Sequence, residues 1–135
     1  MLRPIRRGAA GLARVHELVE RFGLEAKLGE QAGALSHGEQ RRLEIAVALA
    51  AKPSVLLLDE PTQGMSHGDT ADTAKLIREL GREVTILLIE HDIGLVMDIS
   101  DHIVVMHQGR KLADGSPAEV RADPAVRSAY FGDAA

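Results

Sequence analysis

Three short segments carry side chains suited to phosphate chemistry. The first, Leu35-Ser36-His37-Gly38-Glu39-Gln40, places a serine and a glutamate three residues apart. Such a pair caps a helix reciprocally, each side chain bonding the other residue's backbone N–H. The unpaired N–H groups beyond it, at the positive end of the helix dipole, attract anions such as a γ-phosphate. Gly38 lets a ligand or a partner backbone approach closely. The second segment, Asp59-Glu60, lies nineteen positions after Gln40 and ends the apolar run Val55-Leu56-Leu57-Leu58. Phosphoryl transfer needs one acid beside Mg²⁺ and one beside a water; Asp59 suits the ion and Glu60 the orientation or deprotonation of the water. The third, His91, stands between Glu90 and Asp92 and closes the apolar run Leu87-Leu88-Ile89. A histidine there could donate a hydrogen bond to a phosphate oxygen. Taken singly, these segments also read as a plain capping box, an acidic turn after a buried strand and an exposed loop histidine.

The elements that must position them follow from hydrophobic spacing. Leu12, Val15, Leu18, Val19 and Phe22 recur at helical intervals, opposite Arg14, Glu17, Glu20 and Arg21, with Gly23 at a C-cap position. This predicts an amphipathic helix over 9–22. Gly29 to Ala34 reads as a loop. A second helix starts after Ser36, and Leu43, Ile45, Ala46, Val47, Leu49 and Ala50 make it apolar on most faces, so it is expected to be largely buried. Lys52-Pro53 stops it. Val55 to Leu58 shows no alternation, which suits a strand covered on both faces, as in a parallel sheet.

Ser66 and Asp69 offer caps for a helix over about 68–80, with Ala71, Ala74, Ile77 and Leu80 inward and Gly81 at its end. Val84 to Ile89 is the next buried strand, Ile93 to Ile99 a short helix, and Ile103 to Met106 a further strand. Gln108-Gly109 turns the chain into a polar strand over Lys111 to Ala113. Ser116-Pro117-Ala118-Glu119 and Asp123-Pro124 start two short helices, the second ending near Tyr130-Phe131-Gly132. The alternation indicates an α/β fold with a mostly parallel sheet. Asp59-Glu60 then stands at the carboxyl edge of that sheet, where ligands bind in open α/β folds.

Composition excludes several functions. The 135 residues contain no cysteine, so disulfides, thiolate metal sites and thiol nucleophiles are ruled out. Phe22, Tyr130 and Phe131 are the only aromatic residues, which leaves no stacking platform for single-stranded nucleic acid. The net charge of −4 also argues against a nucleic-acid partner. No apolar run approaches the ~18 residues that a membrane span requires. The basic start, Met1 to Arg7, reads as a solvated helix end and is followed by no signal-peptide core. His16, His37, His67, His102 and His107 show no metal-ligand spacing.

Together the three segments resemble the nucleotide-binding subunit of ATP-binding-cassette (ABC) transporters. Leu35 to Gln40 is similar to that family's signature sequence, with His37 in place of its more usual glycine. Val55 to Pro61 looks like its Walker B strand, including the proline after the catalytic glutamate. Gln63-Gly64-Met65-Ser66 falls on the D-loop, with Ser66 where many members have aspartate. His91, 31 residues after Glu60, falls on the switch histidine. The stretch LSHGEQRRLEIAVALA, the D-loop Gly64-Met65, the segment from Ile89 to Val120 and the Ala129-Tyr130-Phe131-Gly132 ending resemble the branched-chain amino acid and urea/amide uptake group.

The resemblance implies roles for these positions. Glu60 and His91 would be catalytic, Asp59 would hold Mg²⁺, and Leu35, Ser36, His37, Gly38, Glu39, Gln40 and Ser66 would face ATP. It implies ATP and Mg²⁺ held between two ABC ATPase subunits, permease subunits in the membrane, and a cytoplasmic site at the membrane's inner face. Residues 1–34 would be a remnant of the helical subdomain. Residues 35–115 would form the C-terminal part of the ABC core, and 116–135 a C-terminal helical extension. The fold expected is therefore an incomplete P-loop NTPase core.

The phosphate-loop pattern G-x-x-x-x-G-K-[ST] occurs nowhere in the sequence, and neither do the family's Q-loop and adenine-stacking aromatic residue. The expectation is an N-terminally truncated importer ATPase whose chain alone hydrolyses no ATP. Without the strand that leads into a phosphate loop, Val55 to Leu58 is expected to present an unpaired edge and an uncovered aliphatic face, with marginal stability. Two rival readings stand beside this one. One is a non-catalytic interaction module that completes or inhibits a full-length ABC ATPase. The other is an ABC ATPase of DNA repair or translation, against which the acidic charge and the transporter-like C-terminus weigh.

Overall fold

The computed structural model describes residues 9–131. The basic start Met1–Arg7 and Gly132 of the C-terminal ending lie outside the described residues. Helix α1 spans Ala9–Arg21, and Gly23, at φ +61°, turns the chain away after it. That left-handed conformation is the one an L side chain resists, hence the glycine. Two single 3₁₀ turns, Glu25–Lys27 and Ala32–Ala34, order the connector that the sequence suggested was loop. Helix α2 spans His37–Ala50 and is capped by Ser36.

Helix α2 differs from expectation in its burial. Ile45, Ala46 and Leu49 face the core, but Val47, Ala48 and Ala50 are exposed. One stripe rather than most of the helix is covered, because the described residues pack against α2 from one side. The exposed alanines need no core to explain them, since alanine favours helix on its own account.

Strand β1 (Val55–Asp59), helix α3 (His67–Leu80) and strand β2 (Thr85–Ile89) follow, with the two strands parallel. Their register pairs Val55 with Thr85, Leu57 with Leu87 and Asp59 with Ile89. Helix α3 turns Thr73, Leu76, Ile77 and Leu80 inward. This i, i+3, i+4, i+7 stripe corrects the inner face read from sequence, because Ala71 is exposed and Ala74 only half-buried. The small apolar alanines gave way to Leu76 and to Thr73, whose hydroxyl donates to Met65 Sδ at 3.5 Å.

Leu56, Leu58, Leu76, Ile77 and Leu80 join Leu18, Phe22, Leu24, Ile45, Ala46, Leu49 and Val84 in one aliphatic core. This core lies on one face of the β1–β2 pair. On the other face Val55, Leu57, Leu87 and Ile89 are exposed, Leu57 at 69%. The unbroken apolar runs therefore have one face covered rather than two. Among the described residues β1 pairs with β2 alone, so the unpaired edge and uncovered aliphatic face expected from sequence are both present.

The rest of the chain builds a second, smaller core. Helix α4 (Ile93–Ile99) leads into strands β3 (Ile103–His107) and β4 (Arg110–Gly115), an antiparallel hairpin with a register shift between Val105 and Met106. Gln108 (φ +48°) and Gly109 (φ +75°) form its turn, the left-handed pair that matches strand twist. Helix α5 (Pro117–Ala122) and the single turn α6 (Pro124–Val126) bury Val120 and Val126 against Met97 and Ile103. Tyr130 Oη donates to the Met106 carbonyl at 2.6 Å, docking the C-terminal segment on β3. The fold class is α/β, with a small parallel pair at its centre.

No helix among the described residues is long and apolar enough to cross a membrane. Ion pairing ties distant segments at the surface. Arg21 makes a two-pronged contact with Glu83 at 2.9 and 2.7 Å, joining the end of α1 to the approach to β2.

Leu80 is fully buried, so Leu80→Ala is expected to lower the unfolding free energy in urea by about 3 kcal/mol. A loss below about 1 kcal/mol would show that this core is not close-packed. The double substitution Leu57→Thr/Leu87→Thr is expected to leave the thermal midpoint within a few degrees while suppressing self-association in sedimentation velocity. Unchanged self-association would show that the open sheet face is not what drives it.

Candidate functional site

The start of α2 is a complete capping box. Glu39 N–H donates to Ser36 Oγ at 3.3 Å, and Ser36 N–H donates to Glu39 Oε2 at 2.8 Å. Ser36 Oγ accepts this bond through a lone pair and lies at an exposed position. The bond from the Ser36 backbone, then that from its side chain, hold the Glu39 carboxyl below its ordinary value. Lys27 Nζ adds an ion pair at 3.7 Å. The Gln40 amide donates to the carbonyls of Ala32 and Leu35 at 3.2 and 3.1 Å, fixing the approach to the helix. Leu35 is buried and anchors the same approach.

The second cluster sits at the carboxyl edge of the parallel pair. Asp59 closes β1, and Glu60 N–H then donates to the Ile89 carbonyl at 2.8 Å. Glu60 has φ +43°, an uncommon conformation for a residue with a Cβ, and its side chain remains accessible. His91 Nδ1 lies 3.5 Å from Glu60 Oε1. The register brings these two together, because each follows a strand end by one or two residues.

Glu90 is the residue that the sequence reading passed over. Its side chain is 0% exposed, and its carboxylate accepts from Thr62 N–H at 3.0 Å, Thr62 O–H at 2.6 Å and His91 N–H at 3.3 Å. Three donors satisfy a charge that burial would otherwise penalise heavily. Glu90 thus pins the turn after Glu60. The sequence signal was an acid ending an apolar strand beside a histidine, but its partner Thr62 lies 28 residues away. Asp92, the other acid flanking His91, caps α4 through Leu95 N–H at 3.1 Å.

A third group links the first two. Ser66 caps α3: it accepts from Asp69 N–H at 3.2 Å and donates to Asp69 Oδ2 at 2.6 Å. Asp69 in turn packs against Gly38, where an added Cβ would meet Asp69 Oδ1 at 3.1 Å. His37 Nε2 lies 3.0 Å from the Gln63 carbonyl oxygen. The starts of α2 and α3 therefore touch through small or shape-matched groups. Among the described residues no hydrogen bond joins Ser36 directly to Glu60 or His91.

Among the described residues no cluster of three or more His, Asp and Glu side chains is poised for an ion. Asp59 is exposed at the sheet edge, and its side chain makes no hydrogen bond to another of the described residues. A single accessible carboxylate fits Mg²⁺, which keeps several waters and takes phosphate oxygens, and does not fit an ion that needs a protein cage.

Comparison with known proteins adds family relationships to this geometry. Residues 7–63 match the ABC transporter family, and residues 110–135 match the family described as branched-chain amino acid ATP-binding cassette transporter. The high-affinity branched-chain amino acid transport ATP-binding protein BraF of Pseudomonas aeruginosa is 49% identical over 118 residues, covering 86% of this chain and 46% of that protein. LivG of Salmonella typhimurium, described in the same words, is 47% identical over 125 residues, covering 91% of this chain and 49% of LivG. The chain spans about half the length of the curated relatives it matches. The crystal structure of an ABC transporter's ATP-binding cassette in its ADP conformation superposes with a TM-score of 0.83 at 29% identity, over 98% of this chain and 54% of that one.

Removing the cap by Ser36→Ala is expected to lower the unfolding free energy by about 1 kcal/mol. The pH dependence of the box follows from the lowered Glu39 pKa. Its contribution is present above the ordinary value of 4.5 and is lost as pH falls through the lower folded value. The thermal midpoint of Glu39→Gln should therefore lie below that of the parent near pH 7, and the two should converge once the pH has fallen below the lowered folded value. A gap that persists unchanged into strong acid would contradict this.

Proposed function

We propose that the chain, whose residues 7–63 and 110–135 match ABC transporter families, supplies the signature and switch elements of an importer's ATP-hydrolysing subunit. The cargo class proposed is branched-chain amino acids or urea/amides. The match over residues 110–135 and the relatives BraF and LivG support that class. The observation that carries the catalytic reading is the His91 Nδ1 to Glu60 Oε1 approach of 3.5 Å at the carboxyl edge of a parallel strand pair.

In this reading Glu60 orients and deprotonates the attacking water, and His91 holds the Glu60 carboxylate and a phosphate oxygen in line. Asp59 would hold Mg²⁺, which would supply charge neutralisation for the transferring phosphoryl group. The Ser36 side chain and the N–H groups of His37 and Gly38 serve an ATP carried by a second ABC ATPase subunit. Ser66 and the bend before it border the same boundary. In the same reading residues 1–34 are a remnant of the helical subdomain, 35–115 the C-terminal part of the ABC core and 116–135 a C-terminal helical extension. The partners are the second ATPase subunit and the permease subunits, which place the chain in the cytoplasm against the membrane.

The division of labour can be read with a polypeptide of residues 1–135 and a full-length ABC ATPase subunit of a branched-chain amino acid importer. The full-length subunit would carry a Ser→Arg change in its own signature, so that its homodimer is inactive. Residues 1–135 alone are expected to release no phosphate. Mixed with the disabled subunit, they should restore hydrolysis at that subunit's phosphate loop, and Ser36→Arg should abolish the restored rate. Glu60→Gln should change it less than about twofold, because Glu60 serves the other ATP. If the chain instead lowers the activity of an unmodified subunit and restores none, the interaction-module reading replaces this one.

A further inference from the structure

His37 stands at the first position of α2, yet its ring turns away from the helix start and reaches the bend after Glu60. Its Nε2 is 3.0 Å from the Gln63 carbonyl oxygen, 26 residues away in sequence. A carbonyl can only accept, so Nε2 carries the proton and donates it. The ring also packs on Gly64, where a Cβ would lie 3.4 Å from His37 Nε2 and 3.6 Å from Cδ2. Gly64 has φ +75°, so the bend needs glycine for its backbone as well as for the contact.

The bend is held from its other side too. Glu90 grips Thr62, and the turn bonds Gln63 N–H to Glu60 C=O and Met65 N–H to Thr62 C=O, both 3.2 Å, close its interior. Gln63 is the position at which the signature turn takes hold. Between the Ser36 edge and Glu60 there is no direct hydrogen bond among the described residues; beside the packing of Gly38 on Asp69, the link by hydrogen bond runs through His37 and Gln63.

We infer that His37 is a positioning residue that locks the Ser36 turn to the Glu60–Met65 bend through an Nε2–H donated to Gln63. This deepens the proposed ATPase reading and rests on it. The consequence is that the edge offered to a partner's ATP and the carboxylate offered to the chain's own side are set as one unit. The imidazole is then a brace for the phosphate-facing groups, with Nδ1 its only nitrogen left for an outside contact.

Side-chain geometry supplies the test. A glutamine amide nitrogen can occupy the place of His Nε2, whereas the shorter asparagine reaches only the place of Nδ1. In residues 1–135, His37→Ala is expected to speed amide exchange at Gln63 and Met65 about fivefold or more, with exchange in β1 and the body of α2 unchanged. His37→Gln should restore protection and His37→Asn should not. In the mixed pair with the disabled full-length subunit, His37→Ala should lower kcat about threefold to tenfold with KM within twofold. His37→Gln should recover the rate. Unchanged exchange at the bend in His37→Ala, or equal behaviour of the glutamine and asparagine variants, overturns the proposal. So does a normal kcat in a variant whose bend has loosened. If the parent chain restores no hydrolysis in the mixed pair, the ATPase reading fails, while the exchange series still decides the role of His37.

Discussion

The parallel register of β1 on β2 is the constraint on which the site depends. Pairing Asp59 with Ile89 sets both strand ends at one edge, and the Glu60 N–H bond to Ile89 extends that pairing one step beyond the ladder. Only with this register do Glu60 and His91 leave their strands side by side. A slip of one residue would turn Leu56 and Leu58 out of the core and send Glu60 to the opposite face. The aliphatic core beneath the sheet therefore fixes the chemistry above it. Glu60 adopts its left-handed backbone because the chain must turn out of β1 at once. That strain, of order 1 kcal/mol, is held in place by the pairing on one side and by Glu90 on the other.

Rigidity at the edge comes from polar bonds as much as from packing. The buried Glu90 carboxylate is a risk to the fold unless every donor is present, and Thr62 supplies two of the three. Losing either partner would leave a charge or a hydroxyl unsatisfied in a region of low dielectric. The capping box at Ser36 is the exposed counterpart: it orders a helix start at an accessible position. One arrangement is buried and fixed, the other accessible and available. His37 spans the gap between them.

Much of this was legible in the sequence because the local signals are strong and short-ranged. The capping boxes at Ser36 and Ser116, the Gln108-Gly109 turn and the two apolar strand runs each depend on residues within four positions of one another. The α/β class follows from their order. What was misread depends on what covers each element. The apolar surplus of α2 suggested burial that the neighbouring elements do not provide. The inward stripe of α3 was placed on Ala71 and Ala74, because small apolar residues look like core until a larger stripe through Leu76 competes. Glu90 with Thr62, and His37 with Gln63, were out of reach because each joins residues more than twenty positions apart.

The exposed face of the parallel pair follows from the same physics. Strands that alternate apolar and polar residues are built for one covered face; Val55 to Leu58 and Ile86 to Ile89 do not alternate. Their sequence therefore suits a second covering layer, while the described residues supply one. Leu58, directly before Asp59, is buried, and Leu57, one position earlier, is not. The carboxylate edge is thus anchored from below and open from above. Any layer that covered Leu57, Leu87 and Ile89 would stiffen the strand ends bearing Asp59, Glu60 and His91 without touching those residues. Apolar burial on that face and order at the phosphate-facing edge are consequently one equilibrium, linked through the backbone of two five-residue strands.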